Sequence, residues 1–294
     1  MNEFRYRVVD VFTERALEGN PLAVFPDYPR IDDRTMQRIA KELNLSETVF
    51  IQRPTHPDCA AALRIFTPWK EMPFAGHPTV GASFVLLDEG IVQRDSQTFT
   101  LEEKIGPIPI RVERNGNLII WLTTPPISFG KTFDPAVCAD ALGVDKSSLL
   151  DITPQVVSAG NPALFIALRT RADVDRAWLD ASGIRRLSPD PNDSFLVFVF
   201  SPISAGAYSR MFAPDHGVVE DPATGSATGP LAAYMLHHSL LPENRSRRFI
   251  SEQGTKMGRR SLLHFEISGH GPSQEIAVGG HVAPIIEAVM KLDV

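Results

Sequence analysis

Two short glycine-led motifs contain the residues best suited to chemistry. The first, GHPT, begins with Gly76 and His77, and the second, GSAT, begins with Gly225 and Ser226. Each motif precedes an apolar run that is typical of a buried helix. A helix N-terminus offers unpaired backbone N–H groups and a partial positive charge, and a glycine lets an anion approach the backbone. Each motif therefore predicts an anion-binding turn, although a tight turn leading into a helix would give the same pattern.

Two carboxylates stand near these features. Glu47 separates a predicted helix from a predicted strand, and Asp221 directly precedes the second motif. A carboxylate that moves a proton must be positioned and must have a tuned pKa, and a sequence shows neither property. An ordinary turn residue would explain Glu47 equally well, and a surface charge or a turn cap would explain Asp221. His77 likewise fits either a ligand-binding residue or a structural hydrogen-bonding residue.

The chain contains an internal repeat. RIFTP at 64–68 is echoed by RMFAP 146 positions later, PFAGHPT from position 73 is echoed by PATGSAT from position 222, and GNPL from position 19 is echoed by GNPA from position 160. Three echoes in the same order indicate a duplication. The sequence therefore predicts two similar domains related by a pseudo-two-fold axis. Their predicted limits are 1–124 and 127–281, and the pattern allows residues 282–294 to return to the first domain.

Hydrophobic periodicity predicts the elements that position these motifs. An amphipathic helix is expected at 33–43, and the apolar runs after Gly76 and Gly225 predict helices that are buried on every side. Strands are expected at 6–12, 22–25, 48–52, 60–66, 108–114, 118–123, 155–159, 164–168, 195–200, 208–212, 262–267 and 275–278. Many short strands and one buried helix per half predict an α+β fold. Each domain is expected to be a curved, barrel-like sheet wrapped around a central helix.

Composition excludes several classes of protein. The 294 residues carry a net charge of −6 and only two cysteines, Cys59 and Cys138. This argues against a nucleic-acid-binding surface, a disulfide framework and a thiolate zinc site. No apolar run is long enough to span a membrane, and no secretory signal, dinucleotide fingerprint, phosphate loop or nucleophile elbow is present. A cytoplasmic globular protein is expected.

The motifs taken together resemble one known family. The segments that carry the resemblance are VDVF from position 9, GNPLAV from 19, NLSET from 44, FAGHPT from 74 and EDPATGSA from 220. They resemble the phenazine-biosynthesis PhzF-like family, which shares the diaminopimelate epimerase-like fold. The resemblance extends over nearly the whole chain.

The resemblance implies a function and a site. It implies a cofactor-independent isomerase that shifts a proton on a small, dihydro-hydroxyanthranilate-like carboxylic acid bound in a cleft between the two domains. Glu47 would be the acid/base, and no metal or organic cofactor is implied. Homodimers are common among such proteins. The residues expected to hold the substrate are Gly76, His77, Asp221, Gly225 and Ser226.

One departure from the wider fold leaves alternatives open. Diaminopimelate epimerases use two cysteines, and Ala75 and Thr224 occupy those positions here. Two-thiol racemisation is therefore not expected. An amino-acid epimerase that uses Glu47 with His77 or Asp221 is one alternative function. A non-catalytic protein that binds a small acid is another.

Overall fold

A computed structural model describes residues 1–114, 116–188, 195–242, 247–269 and 274–293. The chain divides into two compact units. The first unit comprises Met1–Thr123 and Gly279–Val294, and the second comprises Thr124–Val278. The last segment of the chain therefore belongs to the first unit.

The first unit is built mainly from strands. Its elements are β1 (Asn2–Val11), β2 (Asn20–Phe25), α1 (Asp33–Leu43), β3 (Glu47–Gln52), β4 (Ala61–Phe66), β5 (Glu71–Met72), α2 (Gly76–Asp88), β6 (Thr98–Glu103), β7 (Gly106–Glu113), β8 (Ile119–Thr123) and the C-terminal β18 (Val282–Leu292). β1 lies between β18 and β2 and is antiparallel to both. β2 is parallel to β3, which is antiparallel to β4. β4 is antiparallel to β5 and parallel to β6. β6 is antiparallel to β7, and β7 is antiparallel to β8.

The second unit contains more helices. Its elements are β9 (Ser128–Thr132), α3 (Pro135–Leu142), β10 (Gln155–Ser158), β11 (Pro162–Ala167), α4 (Arg171–Arg176), α5 (Ala181–Leu187), β12 (Leu196–Ile203), β13 (Gly206–Ala213), β14 (Val218–Asp221), α6 (Gly225–His237), β15 (Arg248–Gln253), β16 (Ser261–Ser268) and β17 (Glu275–Gly280), whose last two residues belong to the first unit. Single 3-10 turns lie at Lys146–Ser148, Pro214–His216 and Thr255–Met257.

The two units share one order of strand pairing. β10 lies between β9 and β11, as β1 lies between β18 and β2. β11 is parallel to β12, β12 is antiparallel to β13, and β13 pairs with β14 and, in parallel, with β15. β15 then pairs with the antiparallel β16. This order matches the first unit strand for strand, as a duplicated chain should.

A central helix lies against the sheet in each unit. Every residue of α2 is buried except Phe84 and Asp88, and the helix packs on β1, β2, β3, β4, β8 and β18. In the second unit α6 packs on β10, β11 and β16. Both helices are apolar around their circumference, which only burial on all sides can accommodate. The predicted α+β class with a central helix in each half is confirmed.

The outer faces of the sheets carry the amphipathic helices. In β11, Phe165 packs towards α6, whereas Leu164 and Ile166 pack in a cluster with α3 and α5. This alternation follows from the two-residue period of a strand. In the first unit, Asp32 caps α1 by accepting a 2.7 Å hydrogen bond from the Thr35 N–H, and the apolar face of α1 packs over Phe25 and other aromatic residues.

The barrel-like sheet that the sequence predicts is not closed into a complete barrel. Within the described residues, no ladder joins β8 to β18 at the two ends of the first unit's strand order, so that sheet stays open. Among the same residues, every helix is too short or too polar to cross a lipid bilayer.

Gly81 tests how tightly α2 is packed. A Cβ at this position would lie 2.6 Å from Leu22 Cδ2 and 2.8 Å from Val11 Cγ2. In Gly81→Ala, the higher helix propensity of alanine should stabilise the fold by about 1 kcal/mol. Crowding should cancel this gain, because the β-branched side chain of Val11 cannot rotate away easily. Gly81→Val should lower the free energy of unfolding by about 1–3 kcal/mol. Urea denaturation measures both, and a Val variant as stable as the wild type would contradict this packing.

Candidate active site

The first predicted motif forms the N-terminus of α2. Gly76 and His77 are its first two residues, and both are buried. The N-cap residue Ala75 makes no side-chain hydrogen bond to the first turn. The first turn therefore presents backbone N–H groups where the positive end of the helix dipole lies. The binding of an anion at this turn stays a prediction.

Glu47 lies next to this turn. It is the first residue of β3, and the parallel ladder with β2 places it opposite Leu22. Its side chain is 17% exposed, and its Oε2 lies 3.2 Å from Nε2 of His77. The two atoms are within reach of each other but are not aligned as a hydrogen bond. Such contacts often tighten only when a substrate binds.

Asn20 completes this cluster. It is the first residue of β2, at the same end of the β2–β3 ladder as Glu47, and its Nδ2 lies 3.5 Å from Nδ1 of His77. The preceding Gly19 has a φ of +69°, and a Cβ there would lie 2.4 Å from the carbonyl oxygen of Val11. Glycine is thus required for the chain to enter β2 at this point.

His77 is a neutral group in this cluster. Burial lowers the pKa of His77 to about 3, because the imidazolium form cannot be hydrated there. Asn20 Nδ2 is placed to donate to Nδ1, and in the tautomer that accepts this hydrogen bond the ring proton lies on Nε2. The ring therefore turns an N–H towards the Glu47 carboxylate and does not pair with it as a cation.

Two side chains hold the backbone at the start of α2. The Thr79 hydroxyl lies 2.7 Å from the carbonyl oxygen of Ala75, and Glu103 accepts a hydrogen bond from the Ala75 N–H. Glu103 is the last residue of β6 and is almost completely buried. Burial raises the pKa of Glu103 to about 8, since the charged carboxylate loses its hydration.

The second predicted motif has the same construction at α6. Gly225 and Ser226 are the first two residues of the helix, and Thr224 is its N-cap. The Thr224 N–H donates a 3.2 Å hydrogen bond to Oε1 of Gln253, and the Thr224 hydroxyl donates a 2.6 Å hydrogen bond to Oδ2 of Asp221. Asp221 is thereby fixed beside the turn, as its position in the sequence indicates.

The structure groups the predicted residues by unit. Glu47 joins Gly76 and His77 in the first unit, whereas Asp221 joins Gly225 and Ser226 in the second. Three further residues at these turns were not predicted from the sequence: Asn20, Glu103 and Gln253. Asn20 lies in an echoed motif, so the repeat could have drawn attention to it. The other two lie on β6 and β15, which the pattern did not predict.

The thiols do not contribute to either turn. Ala75 and Thr224 are the two N-caps, where two-thiol chemistry would need cysteines. Burial raises the pKa of Cys138 to about 12 and also raises the pKa of Cys59, so both remain neutral thiols. In the part of the chain that the structure describes, no group of three His, Cys, Asp or Glu residues is arranged to hold a metal ion.

Comparison with known proteins assigns the family. A family model described as phenazine biosynthesis-like protein (PhzC-PhzF) matches residues 9–288. The chain belongs to this family. The trans-2,3-dihydro-3-hydroxyanthranilate isomerase of Pseudomonas aeruginosa is 36% identical over 288 residues, which cover 96% of this chain and 98% of that protein. Because relatives across the family are named isomerases, this member is an isomerase.

Solved structures of similar proteins support the fold. The crystal structure of a Bacillus anthracis phenazine biosynthesis protein of the PhzF family matches with a TM-score of 0.88 at 23% identity, covering 99% of this chain and 100% of the other. A probable proline racemase from Agrobacterium radiobacter K84 matches with a TM-score of 0.67 at 14% identity, covering 99% and 93%. The predicted fold and family resemblance are confirmed.

In this PhzF-family chain, a duplicated ion pair supports each turn. Arg64 on β4 donates through Nε and Nη2 to the two carboxylate oxygens of Glu71 on β5. Arg210 on β13 donates in the same way to Glu220 on β14, at 2.9 and 2.8 Å. Each pair fixes the hairpin from which the chain enters a glycine motif. Bidentate pairing makes these contacts geometrically specific.

The two pairs should differ in their contribution to stability. The side chains of Arg210 and Glu220 are 4% and 8% exposed, whereas those of Arg64 and Glu71 are 25% and 15% exposed. Arg64 also contacts Asp33 at 3.0 Å. Glu220→Gln should therefore lower the free energy of unfolding by about 3–5 kcal/mol, because it leaves a buried guanidinium without its counter-charge. Glu71→Gln should cost clearly less in urea denaturation, and equal losses would show that burial does not separate the two pairs.

Proposed function

We propose that this isomerase shifts a proton between two carbons of a small carboxylic acid, and that Glu47 carries the proton. The observation that carries the proposal is the 3.2 Å approach of Glu47 to neutral His77 at the start of α2. This places a carboxylate beside an anion-binding turn. The site is partly exposed at Glu47 and buried at His77, as a pocket for a small organic acid requires.

The substrate carboxylate would bind at the glycine motifs. Gly76 and His77 offer backbone N–H groups at the N-terminus of α2, and Gly225 and Ser226 offer them at α6. From the duplicated sequence we expect both motifs and Asp221 to line one cleft between the domains. This stays a prediction. So do the homodimer and the cytoplasmic location.

The proposed chemistry needs one acid/base. The Glu47 carboxylate removes a proton from an allylic carbon, and the electron pair of the broken C–H bond delocalises over the diene and its carboxylate. Backbone N–H groups at the helix N-termini stabilise this developing charge. The protonated Glu47 then returns the proton to a different carbon, so that a double bond has moved and no atom is gained or lost. The His77 ring lies 3.2 Å from Glu47 Oε2 and steadies this side chain as a carboxylate, before the first step and after the second.

The substrate class follows from the relatives. Because the Pseudomonas aeruginosa relative is named for trans-2,3-dihydro-3-hydroxyanthranilate, we propose a compound of that kind, a cyclic diene with a carboxylate, as the substrate class. That compound is the first substrate to test.

Glu47→Gln tests the proton carrier. The substitution keeps the size of the side chain but removes its ability to accept a proton. Turnover of trans-2,3-dihydro-3-hydroxyanthranilate should fall by at least about 10²–10⁴-fold, because both half-reactions depend on one group. Substrate affinity should change little, since the turns and not Glu47 hold the carboxylate. Proton NMR in D₂O follows the double bond and the incorporation of solvent deuterium.

Glu42→Gln is the matched control, because Glu42 is an exposed residue of α1 and should leave turnover unchanged. Near-normal turnover by Glu47→Gln would remove Glu47 from the mechanism. Solvent deuterium in an unchanged carbon skeleton would identify an epimerase instead. Binding with neither reaction would identify a non-catalytic acid-binding protein.

Gly225→Val tests the second turn. A β-branched side chain at the first position of α6 would block access to the N–H groups of the turn. Its effect on stability should be small, because valine lowers helix stability by at most about 1 kcal/mol relative to alanine. Affinity for the substrate should fall by more than the stability loss accounts for. Calorimetric titration and urea denaturation of the same variant compare the two losses. Unchanged affinity would exclude this turn from the site.

A further inference from the structure

Glu103 is a buried acid that the proposed proton transfer does not use. It is 4% exposed and lies behind the first turn of α2. Its Oε1 lies 2.5 Å from the Thr79 hydroxyl, and the Ala75 N–H donates to it. Within the described residues, its Oε2 has no hydrogen-bond partner. A buried ion in this position would be costly, because no cation compensates it.

Strand register identifies the counterpart of Glu103 in the second unit. On β4, Ala62 stands two residues before the echoed Arg64 and pairs with Glu102. On β13, Tyr208 stands two residues before the echoed Arg210 and pairs with Glu252. The next residue along is Glu103 in one unit and Gln253 in the other. The duplicated fold thus places a carboxyl group and an uncharged amide at equivalent positions.

The two residues accept one equivalent hydrogen bond. Ala75 donates its N–H to Glu103, and Thr224 donates its N–H to Gln253. The amide of Gln253 also donates, through Nε2, to the Thr224 hydroxyl at 3.0 Å. The second unit therefore fills this position with an uncharged side chain, and a carboxyl group is uncharged only when it carries a proton.

The Thr79 hydroxyl gives a second reason for a proton on Glu103. It lies 2.7 Å from the carbonyl oxygen of Ala75 and 2.5 Å from Glu103, but it has a single hydrogen to donate. If that hydrogen goes to Ala75, the contact with Glu103 becomes a hydrogen bond only when Glu103 is the donor. Thr228 donates in the corresponding way to the carbonyl oxygen of Thr224 at 3.1 Å.

We infer that Glu103 is a positioning residue which, as a neutral carboxylic acid, fixes the turn of Gly76 and His77 and keeps negative charge away from the anion-binding end of α2. This rests on the proposed function of that turn. Ionisation of Glu103 would place a carboxylate directly behind the N–H groups that receive the substrate. Substrate anions would then be repelled and the first turn would lose a hydrogen bond.

Glu47, which faces the same turn through His77, is the proton carrier of the proposed function, and the other charged neighbours of Glu103 are held by partners of their own. Glu102 accepts from Thr55 and His56, Lys104 pairs with Glu71, and His77 is neutral. Arg64, on the neighbouring β4, is likewise paired with Glu71, and Arg111 on β7 pairs with Glu113. Because the pKa of Glu103 is about 8, the acid is neutral below that pH and charged above it. Anion binding should therefore weaken as the pH rises through this value.

Two measurements on the intact protein test the inference. Infrared spectroscopy of the wild type should show the carbonyl stretch of a protonated carboxylic acid near neutral pH, which disappears in alkaline solution and is absent from Glu103→Gln. Calorimetric titration with benzoate, an anion throughout this range, should show about tenfold weaker binding to the wild type at about pH 9.5 than at about pH 6.5. Glu103→Gln should bind benzoate equally at both values, because glutamine is what the second unit carries.

Glu102→Gln is the matched control, since it removes the neighbouring acid from the same strand and should keep the wild-type pH dependence. A wild type without the protonated band would overturn the inference, and that measurement needs no variant. Parallel loss of benzoate affinity in wild type and Glu103→Gln, or no benzoate binding at either pH, would overturn it as well. None of these results depends on turnover, so the Glu47 proposal stands or falls separately.

Discussion

Both candidate turns depend on one kind of hydrogen bond. The backbone N–H of each N-cap residue donates to the side chain of the last residue of a strand. In the first unit the Ala75 N–H donates to Glu103, and in the second the Thr224 N–H donates to Gln253. A helix that is apolar on all sides has to be buried, yet its first turn must still satisfy its polar backbone groups. A side chain from the sheet satisfies one N–H from behind the turn. The N–H groups of the next residues lie in the first turn, where an α-helix provides no backbone partner for them.

The duplicated framework is shared between the units, whereas the reactive side chains are not. Both units have the same strand order, the same bidentate Arg–Glu pair and the same N-cap contact. In the first unit, Glu47 lies opposite Leu22 in the parallel ladder. At the equivalent position of the second unit, Leu196 lies opposite Ala163. The second residue of the central helix is His77 in one unit and Ser226 in the other. The two halves thus keep a common means of presenting a helix N-terminus, and only the first unit supplies an acid at the start of its third strand.

Burial determines which polar side chains of the first unit are neutral. His77 is neutral because it is buried, so it offers an N–H without adding a charge. Glu103, also buried, has its pKa raised for the same reason. Glu47 retains some exposure, which leaves one carboxyl group in contact with both the turn and the surroundings. The two buried thiols remain neutral.

The sequence by itself determined the α+β class, the repeat, the two buried helices and the family, because these depend on local periodicity and on contiguous motifs. It also brought Glu47, His77 and Asp221 forward as candidates. Only the tertiary structure decided their neighbours. Asn20 and Glu47 meet His77 because a parallel ladder aligns the starts of two strands that are separated by a helix. β6 and β15 escaped prediction, since each of the segments TFTLEE and RFISEQ has only two apolar residues. Glu103 and Gln253, at the ends of those strands, became visible only when strand pairing placed them behind the helix termini.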